Sequence, residues 1–335
     1  MADLDIRIAG RAGRITLTRE RALNALTHDM ARALHQALDG WRDDPAVALV
    51  VIDAAGERAF CAGGDIAAVY HAGVAGDHQR GRAFFCDEYR MNAAIATFPK
   101  PVVALMQGFV MGGGVGIGGH ASHRIVGDTT RIAMPESGIG LIPDVGGSWL
   151  LGRAPGRIGE YLALTGARMG PGDAIHAGFA DLYLPEADWP DLIAGLERDG
   201  DLSALTGKPV PEAALDRRDL SAFGGRHLPD IVAALEAAGD DEPLAALRRN
   251  SPLSMAAGLA LVRAARADER MQQALTREYR FTARATAESD FLEGVRAQLI
   301  DKDRSPRWTA RSDEEMVRAL LAPLDQDELL WEDAE

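Results

Sequence analysis

Lysine is nearly absent from this chain. Lys100, Lys208 and Lys302 are the only three in 335 residues, and arginine supplies the other cations. The net charge is −14, which argues against a nucleic-acid or anionic-membrane surface as the partner. A small anionic ligand remains compatible with that balance if a few cations gather locally. Cysteine is also scarce. Cys61 and Cys86 are the only two, and neither belongs to a CxxC pair or a metal-ligand spacing. That excludes a disulfide scaffold and predicts a reduced, cytoplasmic protein. Long apolar runs are missing too. The most extended, residues 102–119, is interrupted by Gln107 and holds seven glycines, so it reads as a turn rather than a membrane span. The opening MADLDIRIAG alternates like a strand and lacks the charged and apolar regions of a signal peptide.

What is present fits a soluble globular protein with a sizeable core: 47% of residues are hydrophobic and 26% charged. Residues 4–8 and 14–18 alternate around a Gly10–Gly13 turn and predict a hairpin. Thr27 is placed to cap a helix in which Met30, Leu34, Leu38 and Trp41 recur at helical spacing. The continuous apolar run 47–52 predicts a buried strand. A loop over residues 55–65 is expected next, then a helix from Ile66. Residues 102–105, 124–126 and 131–133 read as further strands, with a short helix over 112–119. The first ~200 residues are therefore α/β. Residues 185–226 read as a connector, and from about 228 the pattern is helical, with Ser251 before Pro252 as a start signal. The expected partition is a core over 1–205 and a helical region over 206–335 that completes the site.

The glycines carry several readings. Gly114, Gly116 and Gly119 fit GxGxxG, but too few residues precede the next strand for a dinucleotide-binding crossover helix. Gly112 and Gly113 either expose backbone N–H groups to an anion or serve close packing. A second turn, Cys61-Ala62-Gly63-Gly64-Asp65, has the same two readings, with Asp65 placed to cap the next helix. His120 and His123 are spaced for one helical face, but no third ligand accompanies them, so no metal is expected. Cys61 reads as a packed residue more than as a nucleophile.

Glu136 and Asp144 stand apart. They lie in MPESGIGLIPDVGGS, residues 134–148, with no Lys or Arg in the stretch. Apolar surroundings would raise a carboxyl pKa toward the range useful for proton transfer. The alternative is that both cap turns and face water.

Taken together, ALNALT at 22–27, AFCAGGDI at 59–66, MGGGVGIG at 111–118 and the 134–148 segment resemble the crotonase, or enoyl-CoA hydratase/isomerase, superfamily. SPLS at 251–254, EYR at 278–280 and DFLEGVRAQLIDKD at 290–303 resemble its 3-hydroxyacyl-CoA hydrolase branch, which serves valine catabolism. The resemblance implies a crotonase-like spiral of ββα turns with a C-terminal helical region. It implies an acyl-CoA substrate, with coenzyme A as part of that substrate and no separate cofactor. By motif position it assigns an oxyanion hole to the N–H groups of Gly64 and Gly113 and the chemistry to Glu136 and Asp144. It assigns CoA contacts to Arg21, Ala22, Leu23, Ala62, Asp65, Ile66 and Lys302. Trimers or paired trimers are common in the family, so a homo-oligomer is expected. Similar hydratases carry a glutamate where this chain has Gly116, which puts hydration in doubt and favours thioester hydrolysis. A hydratase or isomerase, and a non-catalytic acyl-CoA binding protein, are the alternatives.

Overall fold

The computed structural model describes residues 3–331 apart from positions 204 and 310. Two compact units are present, each assembled from three stretches of chain. One comprises the residues up to Gly64, Asp87–Ala133 and Arg168–Arg217; the other comprises Asp65–Cys86, Met134–Ala167 and the residues from Arg218 onward.

The first unit holds the strands: β1 (Leu4–Ala9), β2 (Ala12–Leu17), β3 (Leu49–Ala54), β4 (Ala59–Cys61), β5 (Val102–Met106), β6 (Phe109–Met111), β7 (His123–Val126), β8 (Arg131–Ala133) and β9 (Leu182–Tyr183). β1 and β2 form the expected antiparallel hairpin, with Ile6 opposite Ile15. From there the sheet is parallel, in the order β1-β2-β3-β5-β7-β9. A second, three-stranded parallel sheet runs β4-β6-β8. Each successive ββ pair thus gives one strand to each sheet. β3 and β4 do so first, then β5 and β6, then β7 and β8, which is the repeat of the expected spiral. Every residue of β5 is buried, as a central parallel strand requires when both faces are covered.

Helix α1 (His28–Trp41) follows the sequence reading closely. Thr27 accepts a hydrogen bond from the Met30 N–H at 3.2 Å, and Met30, Leu34, Leu38 and Trp41 are buried. Helices α2 (Ile66–Val74) and α3 (His78–Ala96) come next, and α3 is divided between the units at Cys86/Asp87. Then come α4 (Gly113–Gly118), α5 (Gly147–Arg153), α6 (Ile158–Thr165), α7 (Pro171–His176) and α8 (Trp189–Asp199). The C-terminal part is helical as expected: α9 (Leu228–Ala238), α10 (Asp241–Arg249), α11 (Pro252–Ala265), α12 (Met271–Glu288), α13 (Phe291–Val295) and α14 (Glu314–Leu320). Ser251 caps α11 through the Ser254 N–H. No described helix is long and apolar enough to cross a membrane.

Three expectations are corrected. The loop after β3 contains β4, whose three residues are buried and pair with β6; both strands are too short to show a period. The connector over 185–226 contains α8, which packs Trp189, Leu192 and Leu196 against Leu49, Val51, Val103 and Leu105 of the large sheet. Each such side chain contributes about 1.5–3 kcal/mol of burial, enough to override Gly195 in the helix interior, while Pro190 falls in the first turn, where proline is tolerated. His120 and His123 share no helical face, because α4 ends at Gly118 and His123 opens β7.

Candidate functional site

Within the first unit, β4 and β6 each deliver a glycine turn. After β4 the chain turns at Gly63, whose φ of +115° excludes a side chain. The segment at 21–26 is bound to this turn. Ala62 N–H donates to Leu23 O at 3.0 Å and Leu26 N–H to Gly63 O at 2.9 Å. Leu23 and Asn24 both adopt left-handed backbone, at φ 51° and 55°. This is a strained pair for residues with side chains. Buried Asn24 locks it by donating Nδ2 to Ala55 O and Ala59 O, at 3.0 and 2.9 Å. Arg21 and Ala22 are exposed beside it, and Leu23 and Ala62 are half-buried.

After β6 the chain turns at Gly112 (φ 47°) into α4. A side chain on Gly114 would begin 2.2 Å from Cys61 O, so this glycine allows α4 to close on the end of β4. That is the physical demand behind the GxGxxG pattern, and α4, with six residues, is no crossover helix. A side chain on Gly113 would begin 3.1 Å from the Gly64 nitrogen and 2.7 Å from Glu88 Oε1. The two predicted amide donors are therefore brought together. Among the described residues neither Gly64 nor Gly113 donates its N–H in a turn, loop or cap hydrogen bond.

Glu88, on α3, was not singled out by the sequence. It is 2% exposed and reaches the Gly64–Gly113 cradle from a helix remote in the chain. Its charge and, above all, burial push the Cys61 thiol up to about 12. Cys61 is fully buried, with Sγ directed to Gly63 O at 3.6 Å. It is a packed residue, as expected, and no nucleophile near neutral pH.

The second unit holds the two acids of the 134–148 segment. Glu136 opens a 3-10 turn, Glu136–Ile139, and is 5% exposed; Asp144 is 4% exposed. Neither faces water as an ordinary loop acid does. The C-terminal motifs converge on this segment. Ser251 N–H donates to Ser137 O at 2.9 Å, and Ser137 Oγ–H donates to Ala163 O at 3.0 Å. Side chains on Gly140 and Gly294 would collide with Asp290 O and Ile139 C, at 2.4 and 2.2 Å, so both glycines are needed for α13 to sit against the turn. Asp290 in turn accepts from Ser251 Oγ and Thr309 N–H, both at 3.0 Å. Glu278, the acid of EYR, accepts from the Gly146 and Ser148 N–H groups at 2.7 and 2.9 Å and from the Ser148 hydroxyl. The sequence motif was visible, but its tie to Asp144's turn was not.

Asp65, Ile66 and Lys302 also lie in the second unit. Asp65 takes the N-cap position of α2, but its side chain makes no capping hydrogen bond, a correction to the expected role. Lys302 is exposed with φ 57°, just after a π-helical turn, Arg296–Ile300. Its neighbours Asp301 and Asp303 are both engaged by Arg296, at 2.6 and 2.7 Å. Among the described residues no group of three His, Cys, Asp or Glu side chains is arranged to hold a metal.

Comparison with known proteins gives a consistent family. The model of the enoyl-CoA hydratase/isomerase family matches residues 12–323. The chain is 39% identical over 334 residues to the mitochondrial 3-hydroxyisobutyryl-CoA hydrolase of Gallus gallus, covering 94% of this chain and 86% of that one. It is 36% identical over 322 residues to the protein of the same name from Homo sapiens, covering 89% and 82%. Among solved structures, an enoyl-CoA hydratase from Rhodobacter sphaeroides 2.4.1 superposes with a TM-score of 0.94 at 58% identity, over 98% of this chain and 100% of that one. A carnitinyl-CoA dehydratase from Mycobacterium thermoresistibile gives 0.92 at 39% identity, over 99% and 100%. The stacked ββ pairs, the two glycine turns and these matches lead to one conclusion: the chain is an enzyme fold of the enoyl-CoA hydratase/isomerase family.

Proposed function

We propose that the protein hydrolyses a short 3-hydroxyacyl-CoA thioester, with 3-hydroxyisobutyryl-CoA as the type, to the free acid and coenzyme A. One observation carries the reading: Glu136 and Asp144 are both buried on one segment, while position 116 is a glycine. Hydration of a double bond divides its proton transfers between two glutamates in similar hydratases, and one of those positions has no carboxylate here. Thioester hydrolysis needs a single attacking or activating group and a polarised carbonyl.

In this reading the Gly64 and Gly113 N–H groups donate to the thioester oxygen as it gains negative charge. Glu136 attacks the carbonyl carbon or takes a proton from a water that does. In the first route a C–O bond forms as the C–S bond breaks. The CoA thiolate leaves and is protonated, and water then cleaves the mixed anhydride. Asp144 orients the substrate 3-hydroxyl or moves a proton. Arg21 and Lys302 are the cations for the CoA phosphates in an otherwise acidic protein. Label entering Glu136 during single turnover in oxygen-18 water identifies the covalent route, with water attacking the Glu136 carbonyl of the anhydride.

The test is thiol release from a panel of short acyl-CoAs. The reading expects 3-hydroxyisobutyryl-CoA or a close 3-hydroxyacyl analogue to be cleaved far faster than crotonyl-CoA is hydrated. The second reading, enoyl-CoA hydration, draws on the name of the Rhodobacter sphaeroides structure. It wins if crotonyl-CoA hydration outpaces every thioester hydrolysis tested. The two free cysteines support a reducing compartment such as the cytoplasm; the vertebrate relatives are named mitochondrial. Homo-oligomer assembly is a separate expectation, checked by light scattering.

A further inference from the structure

The turn that carries Asp144 has an unusual backbone. Val145 is left-handed at φ 54° and Gly146 follows at φ 77°. A β-branched residue in this region costs roughly 1–3 kcal/mol, so something must hold it there. The carbonyl of Asp144 accepts from the Gly147 N–H at 2.6 Å, which closes the turn locally. Three further donors of the turn point at one group. Glu278 Oε2 accepts from the Gly146 N–H at 2.7 Å, and Oε1 accepts from both the N–H and the hydroxyl of Ser148. Glu278 is 0% exposed and comes from α12, some 130 residues away in the chain.

We infer that Glu278 is a positioning residue for the reaction, setting the left-handed turn 144–148 and thereby the placement of the Asp144 carboxylate. The inference rests on the hydrolase reading, in which Asp144 acts on the substrate. Three donors converging on one acceptor pair demand a carboxyl group. An amide offers one acceptor oxygen and adds two donors, so it must leave at least one buried N–H of the turn unanswered. Successive N–H groups around a left-handed residue form a concavity that favours an acceptor of negative charge. Burial works the other way and pushes Glu278 up to about 7, with hydrogen bonds from Ser148 and Gly146 opposing it and the charge of Asp144 adding to it. The charge of Asp144 thus acts on the same group that fixes its turn. Because its oxygens are taken by the turn, Glu278 acts through Asp144 and not on the substrate.

A kinetic double-mutant cycle tests this on the full chain. Glu278→Gln is combined with Asp144→Asn, and CoA release from 3-hydroxyisobutyryl-CoA is followed. Alone, Glu278→Gln should lower kcat ~10–100-fold with KM within ~3-fold of wild type. In the Asp144→Asn background the same change should cost less than ~3-fold, because the residue it positions has lost its function. A merely structural role gives equal losses in both backgrounds, and that result overturns the inference. If Glu278→Gln fails to fold, Ser148→Ala removes one donor of the three and Ser148→Thr restores it. A loss in the first that the second rescues, seen only with Asp144 present, supports the inference; independence from Asp144 overturns it. Should the wild type hydrate crotonyl-CoA and release no CoA, the hydrolase reading fails, and the cycle is scored on hydration with the same two outcomes.

Discussion

The nitrogen of Gly64 lies 3.1 Å from the point where a side chain on Gly113 would begin, and Glu88 Oε1 lies 2.7 Å from the same point. A methyl group there meets the far end of the long Glu88 side chain and, less yielding, a backbone amide. Gly113→Ala should therefore fold, yet fill the space in front of the Gly64 N–H. Removal of one oxyanion donor typically costs ~10²–10³-fold in kcat, and this substitution should cost at least that. Steady-state CoA release, with circular dichroism as the folding control, measures it. Wild-type turnover in the alanine variant would remove these amides from the site.

Much of this arrangement was legible in the sequence, for reasons that differ by element. α1 and α11 announce themselves through Thr27 and Ser251 because capping is a local hydrogen bond. β5 shows as an unbroken apolar run because both its faces are buried. The glycine turns were visible as patterns, but their physical demand was not. That Gly114 must clear Cys61 O is a distance between elements 53 residues apart. α8 was hidden because Gly195 in its interior lowers helix propensity, and its sheet contacts are what decide it. Glu88, and the tie of Glu278 to the 144–148 turn, were hidden for the same reason. Each is an ordinary acid in a helix until the fold delivers it to a glycine turn.

Cys61 and Cys86 should differ in chemistry. Burial pushes Cys61 up to about 12, so almost no thiolate exists at pH 8 and no reagent reaches it. Cys86 is half-buried. Alkylation of the native protein followed by peptide mass mapping should modify Cys86 first, and Cys61 only after denaturation. Labelling of Cys61 at a comparable rate in the native state would contradict its buried placement.

Glu278 should leave a signature in stability against pH. An ordinary glutamate titrates near 4.5, and burial carries this one to about 7. Between those values the native state holds a proton that the unfolded state has released. Stability contributed by the group is therefore full below about 4.5 and lost as pH rises through 7, a swing on the order of 3 kcal/mol. Glu278→Gln has no such proton. The stability gap between wild type and variant should narrow as pH rises from 5 to 8, as read by urea midpoints. Parallel curves would show that Glu278 keeps its charge throughout.

The sharpest expectation separates the two acids of the 134–148 segment. Glu136→Gln nearly preserves shape and removes the group assigned to the thioester carbon. General base catalysis alone is worth ~10²–10⁴-fold, so kcat should fall by at least that much. Asp144→Asn should act differently if Asp144 holds the substrate 3-hydroxyl. It should slow a 3-hydroxyacyl-CoA more than the matching deoxy acyl-CoA, because only the former loses a partner. An unpaired buried polar group costs ~1–3 kcal/mol, about one to two decades in rate. Both side chains are buried, at 5% and 4% exposure, and neither change opens a cavity, so both variants should remain folded by circular dichroism. The measurement is kcat/KM for each variant on the hydroxylated and deoxy substrates. Equal slowing of both substrates by Asp144→Asn moves that residue from orienting the hydroxyl to the chemical step. Full activity in both variants would leave the two acids as buried structural residues and take the hydrolase reading of the segment with them.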